Sequence, residues 1–162
     1  MGGSDPNRFL RIYLNDHLAG SMLGVELARR LSSSNEDDAE MGPPLAEIRA
    51  EIEADRVTLE RVMDRLGIGR SHVKPAGAWV AEKLGRLKLN GQLRGYSPLS
   101  RLVELEMLLL GITGKMQMWR ALEHTVGGRL SDIDFGQLAG RAARQRSTVD
   151  ALHLRAAARA LL

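Results

Sequence analysis

Apolar residues along this chain recur at intervals of three and four, and nowhere do they alternate over more than a few residues. That spacing belongs to amphipathic helices and not to strands. The clearest case runs through Leu45, Ile48, Ile52, Asp55, Leu59, Val62 and Leu66, which step by 3, 4, 3, 4, 3 and 4. This is a heptad-like seam. Pro43-Pro44 suits its start, and Gly67 and Gly69 stop it.

Four further segments read the same way. A first helix is expected over 7–31, with Phe9, Ile12, Leu23, Leu27 and Leu31 on its inner side. An acidic linker, 32–43, follows it. A shorter helix over 75–90 carries Trp79, Val80, Leu84 and Leu87 and ends at the glycines of "NGQLRG". Ser97-Pro98 is a good cap and first-turn pair for the next helix, which holds Leu102, Leu105, Leu109, Ile112, Met116, Trp119 and Leu122 in register. Gly111 and Gly114 inside it each cost about 1 kcal/mol relative to Ala. They mark a bend or a close helix crossing. Ser131 with Asp134 resembles a capping box that opens a last helix over 133–160. Five amphipathic helices on short connectors make an all-α bundle.

Composition narrows the chemistry. The chain of 162 residues is read as one domain, 1–162, with a flexible lead-in over 1–7. It has no Cys, which removes disulfides, thiolate zinc sites and cysteine nucleophiles and suits a reducing cytoplasm. No basic segment precedes an apolar one at the start, and the apolar run "LVELEMLLLGI" is interrupted by Glu104 and Glu106, so no signal peptide and no membrane span are expected. Of the 23 basic residues, 19 are Arg, the usage of a GC-rich bacterial genome.

Charge is divided along the chain. From 32 to 64 there are 3 Arg against 10 acids, a balance of −7. From 65 to 101 there are 8 basic residues against Glu82 alone, a balance of +7. Two segments of opposite sign neutralise one another within a chain or across a homo-oligomer. The alternative is an anion or nucleic-acid site at Lys83, Arg86, Lys88, Arg94 and Arg101, with Tyr96 offering a stacking face.

Catalytic motifs fail on inspection. "GITGKM" has two residues between its glycines where a phosphate loop needs four, and Met116 follows the Lys. No Ser stands in a nucleophile elbow.

Long antiparallel helices, an extra C-terminal helix and acidic residues near the second helix's seam resemble the ferritin-like superfamily from about Phe9 to Leu162. The chain also resembles small helical proteins of high-GC bacteria. The first resemblance implies an antiparallel bundle of four long helices plus one shorter helix. Active ferritin-like proteins build a di-iron or di-manganese centre from Glu on two helices and Glu-x-x-His on two others. This chain has no Glu-x-x-His, and Asp150-Ala-Leu-His153 is the nearest analogue.

His17 therefore carries the question. It shares a helical face with Gly20 and Gly24, while Asp55 sits in a seam and Glu106 lies beside Leu102 and Leu109. These three would hold a single iron, manganese or zinc ion. They would equally form a metal-free polar cluster, with Asp55 served by His17, the Trp79 indole or an Arg or Lys of the 75–90 helix. The expected function is a non-catalytic scaffold or partner-binding protein that self-associates and needs no cofactor. A degenerate ferritin-like metal protein and an anion or nucleic-acid binder are the alternatives.

Overall fold

A computed structural model describes residues 7–71 and 96–162. Among these residues four α-helices carry the architecture: α1 (Arg8–Ser34), α2 (Gly42–Arg65), α3 (Pro98–Val126) and α4 (Phe135–Leu161), with one 3₁₀ turn at Gly127–Arg129. No strand occurs among the described residues. No helix among them is long and apolar enough to cross a membrane. The shorter helix expected over 75–90, with Trp79, lies outside the described residues.

The helices stop where local chemistry stops them. Gly67 takes φ of 66°, its N–H bonds to Asp64 O and the Ile68 N–H bonds to Met63 O. This is a Schellman ending, and only glycine adopts that φ without strain. At the other end of α2, a Cβ on Gly42 would stand 2.9 Å from the carbonyl oxygens of Asn35 and Glu36, so the α1–α2 turn requires glycine there.

Two expectations are corrected at this level. The acidic linker is shorter than 32–43, because α1 continues to Ser34 and Asn35 bonds back to Leu31 O through its side chain. Asp38 then closes the turn by accepting from the Glu40 and Met41 N–H groups. The last helix is capped by Asp134, which accepts from the Gln137 N–H, and not by Ser131. Leu130, Ile133 and Phe135 are tied into successive turns just before it, which leaves Ser131 outside the helix.

α1 packs on α2 and α3, and α4 packs on α3 and, more lightly, on α2. The core has two apolar clusters. One joins the end of α1, the starts of α2 and α3 and the later turns of α4, through Leu31, Leu45, Leu105 and Val149. The other joins the start of α1, the ends of α2 and α3 and the start of α4, through Leu14, Val62, Trp119 and Phe135. Every adjacent pair is thus antiparallel, and α2 and α3 run parallel across the diagonal. The order is up, down, down, up.

The α2 seam is buried along its whole length, Asp55 included. α1 buries Leu14, Leu18, Val25, Leu27, Ala28 and Leu31. Of the residues expected inside, Leu27 and Leu31 are there, while Phe9 and Ile12 are 79% and 48% exposed. Two apolar stripes compete on α1, and both reach the core towards its C-terminal end.

The corrected cap can be tested directly. Asp134→Ala should cost about 1 kcal/mol in urea unfolding, the usual value of a side-chain N-cap, and Ser131→Ala a few tenths at most. The reverse order would return the cap to Ser131.

Candidate functional site

Between the two apolar clusters lies a polar layer. Asp55 on α2 is 2% exposed and sits level with Lys115 on α3 and with Arg141 and Gln145 on α4. Lys115 Nζ bonds to Asp55 Oδ2, and the Arg141 guanidinium bonds to Asp55 Oδ1. Lys115 Nζ also donates to Gln145 Oε1 at 2.5 Å. The Gln145 amide in turn donates to Glu51 at 2.8 Å and to Asp55 Oδ2 at 3.3 Å. The Lys115 and Arg141 side chains are only 15% and 26% exposed, so these pairs are internal and not surface ones. Burial holds the Lys115 ammonium below its ordinary range, and the neighbouring Asp55 carboxylate pulls it back up.

These partners differ from those expected. Asp55 does need donors, but they come from α3 and α4. The signal was present in the sequence. Leu105, Leu108, Ile112, Lys115, Trp119 and Leu122 step by 3, 4, 3, 4 and 3, which sets Lys115 in a seam. Leu138, Ala142, Gln145, Val149 and Leu152 do the same for Gln145. Arg141 flanks that seam and carries no such mark.

On the α1 side of Asp55 a cavity of about 300 Å³ opens between α1, α2 and α3. Gly20 and Gly24 line it from α1, and Gly111 and Gly114 from α3. A Cβ on any of the four would meet nothing within 4 Å. Gly111 and Gly114, expected at a bend or a close helix crossing, therefore border open space, as do Gly20 and Gly24.

His17 and Asp55 both line this cavity. His17 is half-buried and packs edge-on against Tyr13, with ring centroids 4.6 Å apart. Burial lowers its pKa, against a smaller upward pull from Asp16. Glu106 does not join them. Its side chain is 52% exposed and stands 3.2 Å from His153 Nε2. Among the described residues no three His, Asp or Glu side chains gather as metal ligands.

Of the anion-site residues, Lys83, Arg86, Lys88 and Arg94 lie outside the described residues. Arg101 lies inside, with its guanidinium carbon 5.7 Å from the Tyr96 ring centroid and 3.8 Å separating its charge from Asp38. Much of the acidic segment is neutralised within the chain. Arg159 bonds Asp38 and Glu40, Arg29 and Arg49 bond Glu53, and Arg70 bonds Asp64.

A second buried carboxylate carries no mark in the helical periodicity. Glu104 on α3 is fully buried. It accepts from Tyr96 Oη at 2.9 Å, and Arg30 Nε approaches its other oxygen at 2.7 Å as an ion pair without hydrogen-bond alignment. Burial raises the Glu104 pKa, while Tyr96 and Arg30 oppose the rise. The chain matches no known protein family, no curated protein and no solved structure.

Two outcomes follow from the polar layer and its neighbour. Lys115→Met leaves Asp55 with Arg141 as its remaining cation and should cost about 3–5 kcal/mol in urea unfolding. Arg56→Met, which loses a surface pair with Glu60, should cost under about 1 kcal/mol. Equal losses would mean that the centre is solvated.

His17 gives a dependence on pH. Its folded pKa lies below the unfolded value of about 6.5, so near pH 6 the unfolded chain binds more protons than the native one. Stability held by the neutral imidazole is full above that pH and is lost as pH falls. His17→Leu should remove this loss between about pH 7 and pH 5. Parallel stability profiles for the two proteins would put the imidazole in water.

Proposed function

We propose that this chain is a non-catalytic helical scaffold of ferritin-like arrangement that works by binding, with a second copy of itself as partner. One observation carries the reading. Both oxygens of Asp55, the carboxylate at the bundle's centre, are engaged by built-in cations, Lys115 and Arg141. In a ferritin-like metal centre, carboxylates from several helices converge on metal ions. Here ammonium and guanidinium groups take that part, and with the Gln145 amide they fill three of the carboxylate's roughly four acceptor sites and neutralise the charge that a base, a nucleophile or a ligand would use.

The up-down-down-up order supports the ferritin-like arrangement, since such folds join their two helical hairpins by one long crossover. Self-association draws on α1. Phe9, Ile12 and Tyr13 fall at i, i+3 and i+4 on one face and are 79%, 48% and 36% exposed. An apolar stripe of this kind gains by leaving water. A twofold dimer would bury the stripe against its own copy.

A second reading, a degenerate ferritin-like protein with one weak iron, manganese or zinc site, is favoured by His17 and Asp55 sharing a cavity. Metal binding there would have to displace Lys115 from Asp55.

Elemental mass spectrometry and sedimentation together test both readings. The scaffold reading expects background metal and a dimer at micromolar concentration that Phe9→Ser with Ile12→Ser converts to monomer. Iron, manganese or zinc near one per chain, lost in His17→Leu and in Asp55→Asn, would establish the second reading. A wild-type chain that stays monomeric throughout the micromolar range would remove the self-association.

A further inference from the structure

The midplane cavity serves no contact within the described bundle. Its four glycines hold open space, in helices where each weakens the helix relative to alanine. Gly20 and Gly111 are exposed, so the space communicates with the surface between α1 and α3. Leu23, Leu27, Met107, Leu108 and Ile112 supply apolar walls.

Among the polar groups at the cavity, Trp119 and Lys115 keep unused hydrogen-bond donors. Trp119 lines it, is 0% exposed, and its indole N–H has no hydrogen-bond acceptor among the described residues. A buried donor without an acceptor is unfavourable, and an incoming acceptor removes that penalty. Lys115 has three N–H groups, of which two are taken by Asp55 and Gln145. Asp55 is occupied by cations on both oxygens.

Charge excludes ions. Asp55 is balanced by Lys115 and Arg141, Arg56 on the wall is paired with Glu60, and Asp16 lies on the lining beside His17, whose burial favours the neutral form. An anion would meet Asp16 and Asp55, and a cation would meet Lys115 and Arg56. Size sets the rest: an apolar cavity of roughly 150 Å³ admits benzene, and this one has about twice that volume.

We propose that the cavity between α1, α2 and α3 is a binding site for a small, uncharged, largely apolar molecule of bicyclic size bearing a carbonyl-type acceptor, which takes the Trp119 indole N–H. The inference uses the cavity alone, so it stands or falls separately from self-association and from metal content.

The experiment is a titration of the full chain, labelled with nitrogen-15, followed at the indole N–H signals. The Trp119 signal is identified by its loss in Trp119→Phe. Three probes of similar size are compared: 1-tetralone, tetralin, which lacks the acceptor, and 1-naphthoate, which is charged. Saturation by 1-tetralone with a downfield shift of the Trp119 signal is expected, with the other two at least about tenfold weaker. Gly24→Leu and, independently, Gly114→Leu project a side chain into space where a Cβ meets nothing, so helicity by circular dichroism should persist while binding is lost.

No saturation by any probe would overturn the site, since the space is then closed to solutes or filled from within the chain. Equal binding of 1-tetralone and tetralin would overturn the assigned ligand class. Binding that survives in both folded glycine variants would put the ligand elsewhere and overturn the proposal.

Discussion

The buried carboxylate of Asp55 is the constraint on which the bundle's geometry depends. Apolar side chains of similar size exchange partners at modest cost, so two apolar clusters alone would accept several helix registers. A carboxylate at 2% exposure accepts far fewer. Its two oxygens must find Lys115 and Arg141 together, and these stand on different helices. Sliding α3 or α4 by one turn, about 5.4 Å, would separate a cation from Asp55 and strand a charge in the interior. The polar layer thus aligns α2, α3 and α4 at one height, and the α2–α3 diagonal is bridged by the long stem of Lys115. A polar residue in a seam that selects register at some expense of stability has a direct counterpart in coiled coils.

α1 stands outside that layer and is tied at its ends instead. Near its C-terminus Arg30 meets the buried Glu104 of α3, and Asn35 donates to the Tyr96 hydroxyl that serves the same carboxylate. Near its N-terminus Asn15 donates to Gly69 O and accepts from the Ser71 N–H. Polar ties at both ends and glycines in the middle leave α1 least engaged where the cavity lies. The two observations have one cause. α1 brings no side chain to the central layer, so space remains where a fourth group would stand.

How much of this could be read in the sequence varies with the kind of signal. The helices of α2, α3 and α4, and the Gly67 stop, follow from spacing and from φ preferences that act locally. The core face of α1 followed only in its C-terminal half, where Leu27 and Leu31 are buried. Phe9, Ile12, Leu23, Leu27 and Leu31 form one stripe and Leu14, Leu18, Val25 and Ala28 another, and periodicity cannot choose between stripes that both fit a helix. Burial of Asp55 followed from its seam position. Its partners stand elsewhere than on His17 and the 75–90 segment, towards which the charge balance along the chain points. Lys115 and Gln145 occupy seams as plainly as Asp55 does, but a polar residue in a seam reads as an interruption until its counterpart is known. Burial of Glu104 is hidden in the sequence for a related reason. It lies between apolar residues on a helix packed on two sides, where no single face marks the interior.

The glycines carry the last step. At about 1 kcal/mol each relative to alanine, Gly20, Gly24, Gly111 and Gly114 together weaken the helices by roughly 4 kcal/mol, a large share of the 5–15 kcal/mol that separates folded from unfolded domains. Two structural reasons usually justify such a loss. One is a left-handed backbone, and Gly67 is the only described residue with positive φ. The other is a neighbour too close for a Cβ, which holds for Gly42 and for none of these four. With both removed, what the four share is the wall they form. Alanine at each position would stabilise both helices and narrow the space between them, so the open volume is a property that the helices carry at the expense of their own stability. A bundle organised only to be stable would have filled it.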